Sequence, residues 1–332
     1  MNRVWNNFKK LFAIEIRTKY FVHVLVFLFL TITVIFSLLI IGGRSLNKKE
    51  KNIAHIPNAF ETINLEAKSA VVWDVVNKKE MFAKNSDMPL PLASLTKVMT
   101  AVTTDGKLNG SQKIEITKED LSPEGDSQLI VGDVWKASDL RDFTLITSSN
   151  DGAFALAAMA EATKIIGPYA STSRYGMGDN MQWYRKDFIE EMNETAEKIG
   201  LTNSKFFNEH GLDENSDKGG AYGSAKDMAL LFEYTLKNYP EILEATRYKN
   251  LEFASAEKKY SAENTNIIID KIPNIIASKT GYTDLAGGNL VIAFDAGLNR
   301  PIIISVLGST EEGRFSDVLQ LVKATLKQLP DL

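Results

Sequence analysis

The chain has 332 residues, of which 44% are hydrophobic and 24% are charged, as in folded rather than disordered proteins. It contains no cysteine, which excludes disulfides, thiolate metal sites and a cysteine nucleophile. Three scattered histidines are too few for a histidine metal cluster. The net charge of −4, with basic residues concentrated before residue 44, argues against a nucleic-acid partner.

The first predicted element is the apolar segment "FVHVLVFLFLTITVIFSLLIIGG", residues 21–43. Apart from the titratable His23 it carries no ionisable side chain, and at about 1.5 Å per residue it is long enough to cross a bilayer as a helix. The alternative is a cleaved secretory signal. We expect an uncleaved anchor instead, because the run is longer than a signal peptide's apolar region and no small-x-small cleavage site follows it.

The segments on either side of this span are polar. Five Lys or Arg residues precede it, but residues 44–51 carry four more, so the positive-inside rule only slightly favours a cytoplasmic N-terminus. On this reading residues 1–20 are a cytoplasmic basic tail and residues 44–64 are a polar tether. Residues 65–330 are then a single folded domain.

Strands are predicted at both ends of that domain, and helices in its middle. Two β-hairpins are indicated, 70–76 with 79–85 and 288–297 with 300–309. Helical spacing covers four internal segments, 94–105, 139–164, 187–200 and 224–237, and a final helix that begins near Phe315. The pattern predicts an α/β protein of the α+β type: an antiparallel sheet built from both termini, flanked by helices, with a helical insert.

The first chemical motif is "PLASLTKVMTA", residues 91–101, which places Ser94 and Lys97 on one helical face. A serine nucleophile needs an adjacent base. Lysine serves as that base only if burial or a second cation lowers its pKa from about 10.4. Ser-x-x-Lys also occurs at Ser45 and Ser255, so the pair alone is equally consistent with the polar edge of a helix.

The second motif is Lys279-Thr280-Gly281 in "ASKTGYTDLAGGNL", residues 277–290, and it occurs once in the chain. Lys279 offers a second cation and Thr280 a hydroxyl. Gly281 allows close approach to a strand backbone. The alternative for this stretch is a strand that begins with an exposed lysine.

The third motif, "LITSSNDGAFALAA" at residues 145–158, places Ser148 and Asn150 on a polar break in an apolar helical region. Burying these groups without partners would be costly, so we expect them to face a cleft.

Together, and in this order, the three motifs resemble the superfamily of penicillin-binding proteins and serine β-lactamases. The flanking segments "FFNEHGLDENS" and "GSAKDMALL" are similar to its D-alanyl-D-alanine carboxypeptidase branch, and the resemblance covers about residues 65–326. The middle motif is Ser-Ser-Asn rather than the Ser-Asp-Asn of class A β-lactamases, and their Glu-x-x-Leu-Asn motif is absent. Residues 165–186 look like an insertion, for which a lid, a substrate subsite and an inert surface loop all stay open.

The resemblance implies a β-lactamase/transpeptidase-like fold and an acyl-enzyme mechanism that uses neither metal nor cofactor. Ser94 is implied to attack the carbonyl between two terminal D-alanines, and Lys97 to take its proton. Ser148 is implied to relay that proton to the leaving amine. Asn150 is implied to hold the substrate amide and Lys97.

Substrate binding and charge stabilisation are implied for the other motif residues. Lys279 and Thr280, with Gly281, are implied to bind the substrate carboxylate, as suits a cation beside a hydroxyl. The backbone N–H groups of Ser94 and Tyr282 are implied to form the oxyanion hole.

The resulting hypothesis is a membrane-anchored serine D,D-carboxypeptidase that trims peptidoglycan stem peptides outside the cytoplasmic membrane. Its partners are then the D-Ala-D-Ala terminus, the bilayer through residues 21–43, and β-lactams as covalent inhibitors. Two alternatives stay open: an endopeptidase or transpeptidase of the same fold, and a catalytically inactive protein that binds peptidoglycan.

Overall fold

The structure is a computed structural model, and it describes residues 21, 23, 26–37, 58–125, 128–167 and 181–329. Within those residues, no helix combines the length and the apolar content that crossing a membrane requires. Residues 26–37 are helical, and the remainder of the predicted span 21–43 lies largely outside the described residues. The predicted tail 1–20, most of the tether 44–64 and much of the insertion 165–186 lie outside them as well.

The chain divides into two units, Met1–Pro57 and Asn58–Leu332, and the second contains all the motifs described above. Its strands, in chain order, are β1 (Ser69–Asp74), β2 (Lys79–Lys84), β3 (Leu90–Pro91), β4 (Lys113–Glu115), β5 (Val134–Lys136), β6 (Lys205–Phe206), β7 (Ala221–Gly223), β8 (Asn250–Ala254), β9 (Lys259–Glu263), β10 (Ile275–Thr283), β11 (Gly287–Asp295) and β12 (Pro301–Ser309). Its helices are α1 (Thr96–Asp105), α2 (Ala137–Thr147), α3 (Asn150–Ile166), α4 (Met181–Ile199), α5 (Ala225–Asn238), α6 (Pro240–Glu244) and α7 (Gly313–Gln328).

The main sheet has five strands in the order β10-β11-β12-β1-β2, all antiparallel. Both of its faces are covered, which explains the nearly continuous apolar runs of its central strands. In β11, Val291 and Ala293 belong to the apolar core on one face. The alternating Leu290, Ile292 and Phe294 belong to the core on the other face, as a period of two requires.

Helices form a layer on each face of this sheet. Helix α7 packs on β11 and β12 and contributes Phe315, Val318 and Leu321 to one core. Helices α1 and α5 contribute Met99 and Phe232 to the core on the opposite face. The chain between β2 and β10 therefore supplies the helical insert, as predicted, and both predicted hairpins are confirmed.

The predicted helix 139–164 is wrong at its centre, because α2 and α3 are separate helices. Ser148 adopts a left-handed conformation with φ of 64° at the end of α2. Ser149 is extended, and its hydroxyl accepts a hydrogen bond from the Gly152 N–H (2.9 Å), which caps the start of α3. The polar break thus ends α2 at Ser148 and starts α3 after Ser149.

Candidate active site

The segment before α1 holds Ser94 in a tight turn. Ser94 lies in a 3-10 turn, Ala93–Leu95, that precedes α1, rather than in the first α-helical turn that the sequence suggested. Ala93 has a φ of 48°, a left-handed value that costs energy for a residue other than glycine. Both Ala93 and Leu95 are 1% exposed, whereas Ser94 is only partly buried. The residues on either side of Ser94 are therefore buried, whereas Ser94 itself stays partly accessible.

Lys97 is the centre of the site. Its Nζ lies 2.8 Å from Ser94 Oγ, 2.7 Å from Asn150 Oδ1 and 2.7 Å from the backbone oxygen of His210. These three partners come from the 3-10 turn, the start of α3 and the loop that precedes β7. Lys97 is thereby fixed by three separate parts of the chain.

The environment of Lys97 favours its neutral form. The side chain is 1% exposed. Burial lowers the pKa of Lys97 from 10.5 to about 7, although the charges of Glu209 and Asp151 act in the opposite direction. A substantial fraction of the amine is therefore uncharged at neutral pH.

The second lysine reaches the same cleft from β10, at the edge of the main sheet. Lys279 Nζ donates to Ser148 Oγ (2.8 Å) and to the backbone oxygen of Thr280 (2.9 Å). Burial, reinforced by the positive charges of Lys97 and Arg314, lowers the pKa of Lys279 well below its usual value. A bound carboxylate would offset that loss of solvation and restore the ammonium form.

The Thr280 and Gly281 positions bring β10 against the turn that holds Ser94. The hydroxyls of Thr280 and Thr265 lie 2.6 Å apart. A Cβ at Gly281 would stand only 2.9 Å from the Leu92 oxygen and 3.1 Å from the Ser94 nitrogen. Only glycine fits this approach without a shift, so β10 passes directly beside Ser94. Tyr282, the next residue, has a half-exposed side chain.

Two hydrogen-bonded groups result: Lys97 contacts Ser94 and Asn150, and Lys279 contacts Ser148. Ser148 and Asn150 line the same pocket and the charge of Lys97 acts on Lys279, so the two groups lie side by side. The second serine–lysine pair, Ser255 and Lys258, lies instead in the exposed turn between β8 and β9, where the Ser255 hydroxyl bonds the Lys258 backbone oxygen.

Two residues that sequence reasoning missed hold the Ser94 turn and β10 in place. Asn289, in β11, donates to the backbone oxygens of Pro91 (3.0 Å) and Leu92 (3.1 Å). Arg314, at the start of α7, donates to the Gly281 backbone oxygen (2.9 Å). The only hint for Asn289 is a polar residue within an otherwise apolar strand, and Arg314 carries no comparable signal.

The loop at residues 208–212 forms a further wall of the site. His210 is buried, and its Nδ1 accepts from the Leu212 N–H (3.1 Å), so the ring stabilises its own turn. The backbone oxygen of His210, not its ring, reaches Lys97. Thr100, on α1, donates to the Glu209 backbone oxygen (2.6 Å) and fixes the loop to the helix that carries Lys97.

Gly211 is predicted to be essential for this arrangement. Its φ is 87°, and a Cβ there would lie 2.0 Å from the Ala93 backbone oxygen. We expect Gly211→Ala to destabilise the protein by about 2–4 kcal/mol in urea unfolding, from left-handed strain plus overpacking. Gly106→Ala is the matched control, because Gly106 has a helical φ of −69° and open space around its Cβ. Equal effects of the two substitutions would contradict this account.

Comparison with known proteins places this geometry in a family. A model described as D-alanyl-D-alanine carboxypeptidase matches residues 54–164 and 175–311, which include every motif of the site. The chain belongs to the D-alanyl-D-alanine carboxypeptidase family. It is 30% identical to the D-alanyl-D-alanine carboxypeptidase DacF of Bacillus subtilis over 271 residues, which cover 79% of the chain and 63% of DacF.

Two other proteins to which the chain is similar carry different names. A D-alanyl-D-alanine endopeptidase of Haemophilus influenzae is 28% identical over 229 residues, covering 68% of the chain and 69% of that protein. Penicillin-binding protein D2 of Listeria monocytogenes, solved with ampicillin bound, is 26% identical, with a TM-score of 0.63. That match covers 79% of the chain and 98% of the Listeria protein.

Proposed function

We propose that the chain is a serine D-alanyl-D-alanine carboxypeptidase that acts through an acyl-Ser94 intermediate. The observation that carries the proposal is the 2.8 Å contact between Ser94 Oγ and the buried Lys97 amine. A neutral amine has two N–H groups and one lone pair. The oxygens of Asn150 and His210 can take the two N–H groups, which leaves the lone pair for the Ser94 hydroxyl proton.

Acylation then proceeds as follows. The Ser94 oxygen attacks the carbonyl between the two D-alanines while Lys97 takes its proton. The backbone N–H groups of Ser94 and Tyr282 stabilise the oxyanion, and each such donor typically contributes about 3–4 kcal/mol. The bond to the leaving D-alanine breaks. Ser148, held by Lys279, gives its hydroxyl proton to the departing amine and receives the proton that Lys97 carries, which leaves Lys97 neutral again.

The remaining steps use the same groups. Lys279 and Thr280 bind the carboxylate of the terminal D-alanine. Gly281, which lets β10 approach Leu92 and Ser94 closely, keeps both of them beside the serine. After that D-alanine departs, water attacks the acyl-Ser94 carbonyl. Lys97 takes a proton from the water and returns one to Ser94, which regenerates the free enzyme.

The proposal is tested by product analysis on two substrates. We expect purified protein to release free D-alanine from a stem pentapeptide and to leave a cross-linked stem dimer largely intact. Cleavage of the dimer in preference to the pentapeptide would favour the endopeptidase alternative, which the Haemophilus relative makes relevant. If neither substrate is cleaved, the result favours the other alternative, a catalytically inactive protein that binds peptidoglycan.

The same chemistry predicts a pH effect for Glu209→Gln. The Glu209 charge raises the pKa of Lys97, so its removal should lower that pKa further below about 7. Acylation needs the neutral amine, and the rising limb of the rate against pH should therefore move to lower pH. The measurement is the acylation rate by a chromogenic β-lactam from pH 5 to 8.

The control for that experiment is Glu190→Gln, at an exposed position on α4. It should leave the profile unchanged. If the Glu209→Gln protein has a native thermal unfolding curve and its rate against pH is unshifted, Glu209 does not act on Lys97.

We also propose that residues 21–43 anchor the protein in the cytoplasmic membrane, with the N-terminus inside and the catalytic domain outside. The uncharged length of the segment supports this, as does a peptidoglycan substrate, which lies outside the membrane. We expect the full chain to stay with membranes after alkaline carbonate extraction, and a chain that begins at residue 45 to be soluble. Release of the full chain from membranes by alkaline carbonate would contradict the proposed anchor.

A further inference from the structure

Leu298 has an unusual environment in the turn between β11 and β12. Its side chain is 76% exposed, the highest value among the large apolar residues that the structure describes. Leu298 and Asn299 have left-handed φ values of 51° and 58°, and the Arg300 N–H donates to the Gly297 oxygen (3.1 Å). Turns of this kind favour asparagine and glycine, whereas a bulky apolar residue is strained there. Neither the core nor the turn explains a leucine at this position, which points to a contact outside the domain.

A second exposed apolar residue lies in the neighbouring turn, between β1 and β2. Val76 is 60% exposed. Strands β1 and β12 pair antiparallel, so the end of β1 lies beside the start of β12 and both turns lie at the same end of the main sheet. The Arg300 guanidinium donates to Asp74 at the end of β1 (2.7 Å), which fixes one turn to the other. Val76 and Leu298 therefore form two apolar tips on adjacent turns.

The chain enters the folded domain at this end of the sheet. The Ala59 N–H donates to the side chain of Gln328 (2.7 Å), the last residue of α7. The Glu66 N–H donates to Asp317 (3.0 Å), near the start of α7. Helix α7 packs on β12 and begins four residues after it, so the helix runs back towards the start of β12. The point of entry at residue 58 therefore lies on the side of the β11–β12 turn.

Exposed cations lie near the apolar tips. Lys78 and Lys79 follow Val76 directly, and Lys327 lies in the last turn of α7. The Lys78 ammonium also contacts Glu233. Ammonium groups beside apolar side chains suit a bilayer surface, because the apolar groups enter the lipid while the ammonium groups stay at the headgroup phosphates.

We propose that Val76 and Leu298 insert into the surface of the bilayer, with the neighbouring lysines at anionic lipid headgroups. The proposal rests on the anchor proposed above, in which residues 21–43 cross the membrane. Residues 44–57, which join that segment to the domain, number 14 and reach at most about 50 Å when fully extended. The end of the domain at which the chain enters is held within that distance of the bilayer, so lipid can cover both apolar tips.

The test uses the absence of cysteine from the native chain, because a single introduced cysteine can then be labelled alone. Full-length Leu298→Cys is labelled with an environment-sensitive fluorophore and reconstituted into vesicles of phosphatidylcholine and phosphatidylglycerol. We expect its emission to shift to the blue, and its intensity to fall when the lipid acyl chains carry bromine, because the label reaches the apolar part of the bilayer.

Glu312→Cys is the matched control. Glu312 is exposed and precedes α7 at the opposite end of the main sheet, so a label there should show neither change. If the labels at residues 298 and 312 behave alike, whether quenched or unquenched, the proposed lipid contact is overturned.

Leu298→Asn separates a role in lipid contact from a role in the fold. Asparagine suits the left-handed turn, so we expect this variant to unfold in detergent at a higher temperature than the native protein. It should also weaken the bromine quenching of a label at Val76→Cys, because one of the two tips no longer enters the lipid. A lower unfolding temperature, or unchanged quenching at residue 76, would overturn the proposal.

Failure of the anchor or of the catalytic proposal would look different. If alkaline carbonate releases the full chain from the vesicles, the anchor and this lipid contact are overturned together. If the vesicles retain the chain but the label at residue 298 is unquenched, the lipid contact alone is overturned. Release of D-alanine from a soluble pentapeptide tests the catalytic proposal separately, since that reaction needs no bilayer.

Discussion

Replacing Ser94 with alanine is expected to abolish covalent labelling of the protein by a fluorescent penicillin. In the proposed mechanism the Ser94 oxygen forms the acyl bond, so its removal should lower the acylation rate by more than about 10³-fold. The fold should survive, because Ser94 is only partly buried and Lys97 keeps its contacts with Asn150 and His210.

The control is Ser255→Ala, in the exposed Ser-x-x-Lys pair between β8 and β9. It should label as the native protein does, since Ser255 lies outside the cleft. Labelling of a folded Ser94→Ala protein at the native rate would exclude Ser94 as the nucleophile.

Replacing Lys97 with arginine is expected to reduce acylation by about 10³-fold or more. Arginine stays protonated at any working pH, so it cannot accept the Ser94 proton. The rate of β-lactam acylation, measured with the thermal unfolding curve of the same protein, checks this. Native-rate acylation would refute Lys97 as the base.

Arginine is larger than lysine, and Lys97 is nearly fully buried. Lys97→Met therefore serves as the companion variant: it fills a similar volume, removes the base and buries no charge. We expect it to fold and to acylate as slowly as the arginine variant. A folded methionine variant that acylates normally would refute Lys97 equally well.

The architecture was predictable from the sequence because its strands and helices carry strong local signals. The paired apolar runs of β1 and β2 and of β11 and β12 indicate hairpins, and α7 keeps one apolar face throughout. The split between α2 and α3 was not predicted. It depends on the left-handed Ser148, a backbone conformation that apolar periodicity does not report.

The sequence predicted the site only as three separate motifs. The expectation that these motifs lie together came from a family resemblance. The contacts that hold it together are tertiary, such as Asn289 with the backbone before Ser94, and the backbone oxygen of His210 with Lys97. A backbone oxygen has no signature in a sequence. These parts therefore required the structure.

The physical cause of the lowered pKa also needed coordinates. The sequence suggested burial together with a second cation near Lys97. Burial accounts for the low pKa of Lys97, whereas the effect of the neighbouring cations falls on Lys279. The carboxylates Glu209 and Asp151 oppose the shift at Lys97. Asp151 directly follows Asn150, whereas nothing in the sequence indicates that Glu209 would lie near Lys97.

The most direct test of the account is to locate the covalent adduct. The protein is reacted with benzylpenicillin, digested with a protease, and the modified peptide is sequenced by mass spectrometry. We expect one penicilloyl group per chain, attached to Ser94. An adduct on Ser148 or Ser149, or a folded native protein that acquires no adduct, would contradict the account.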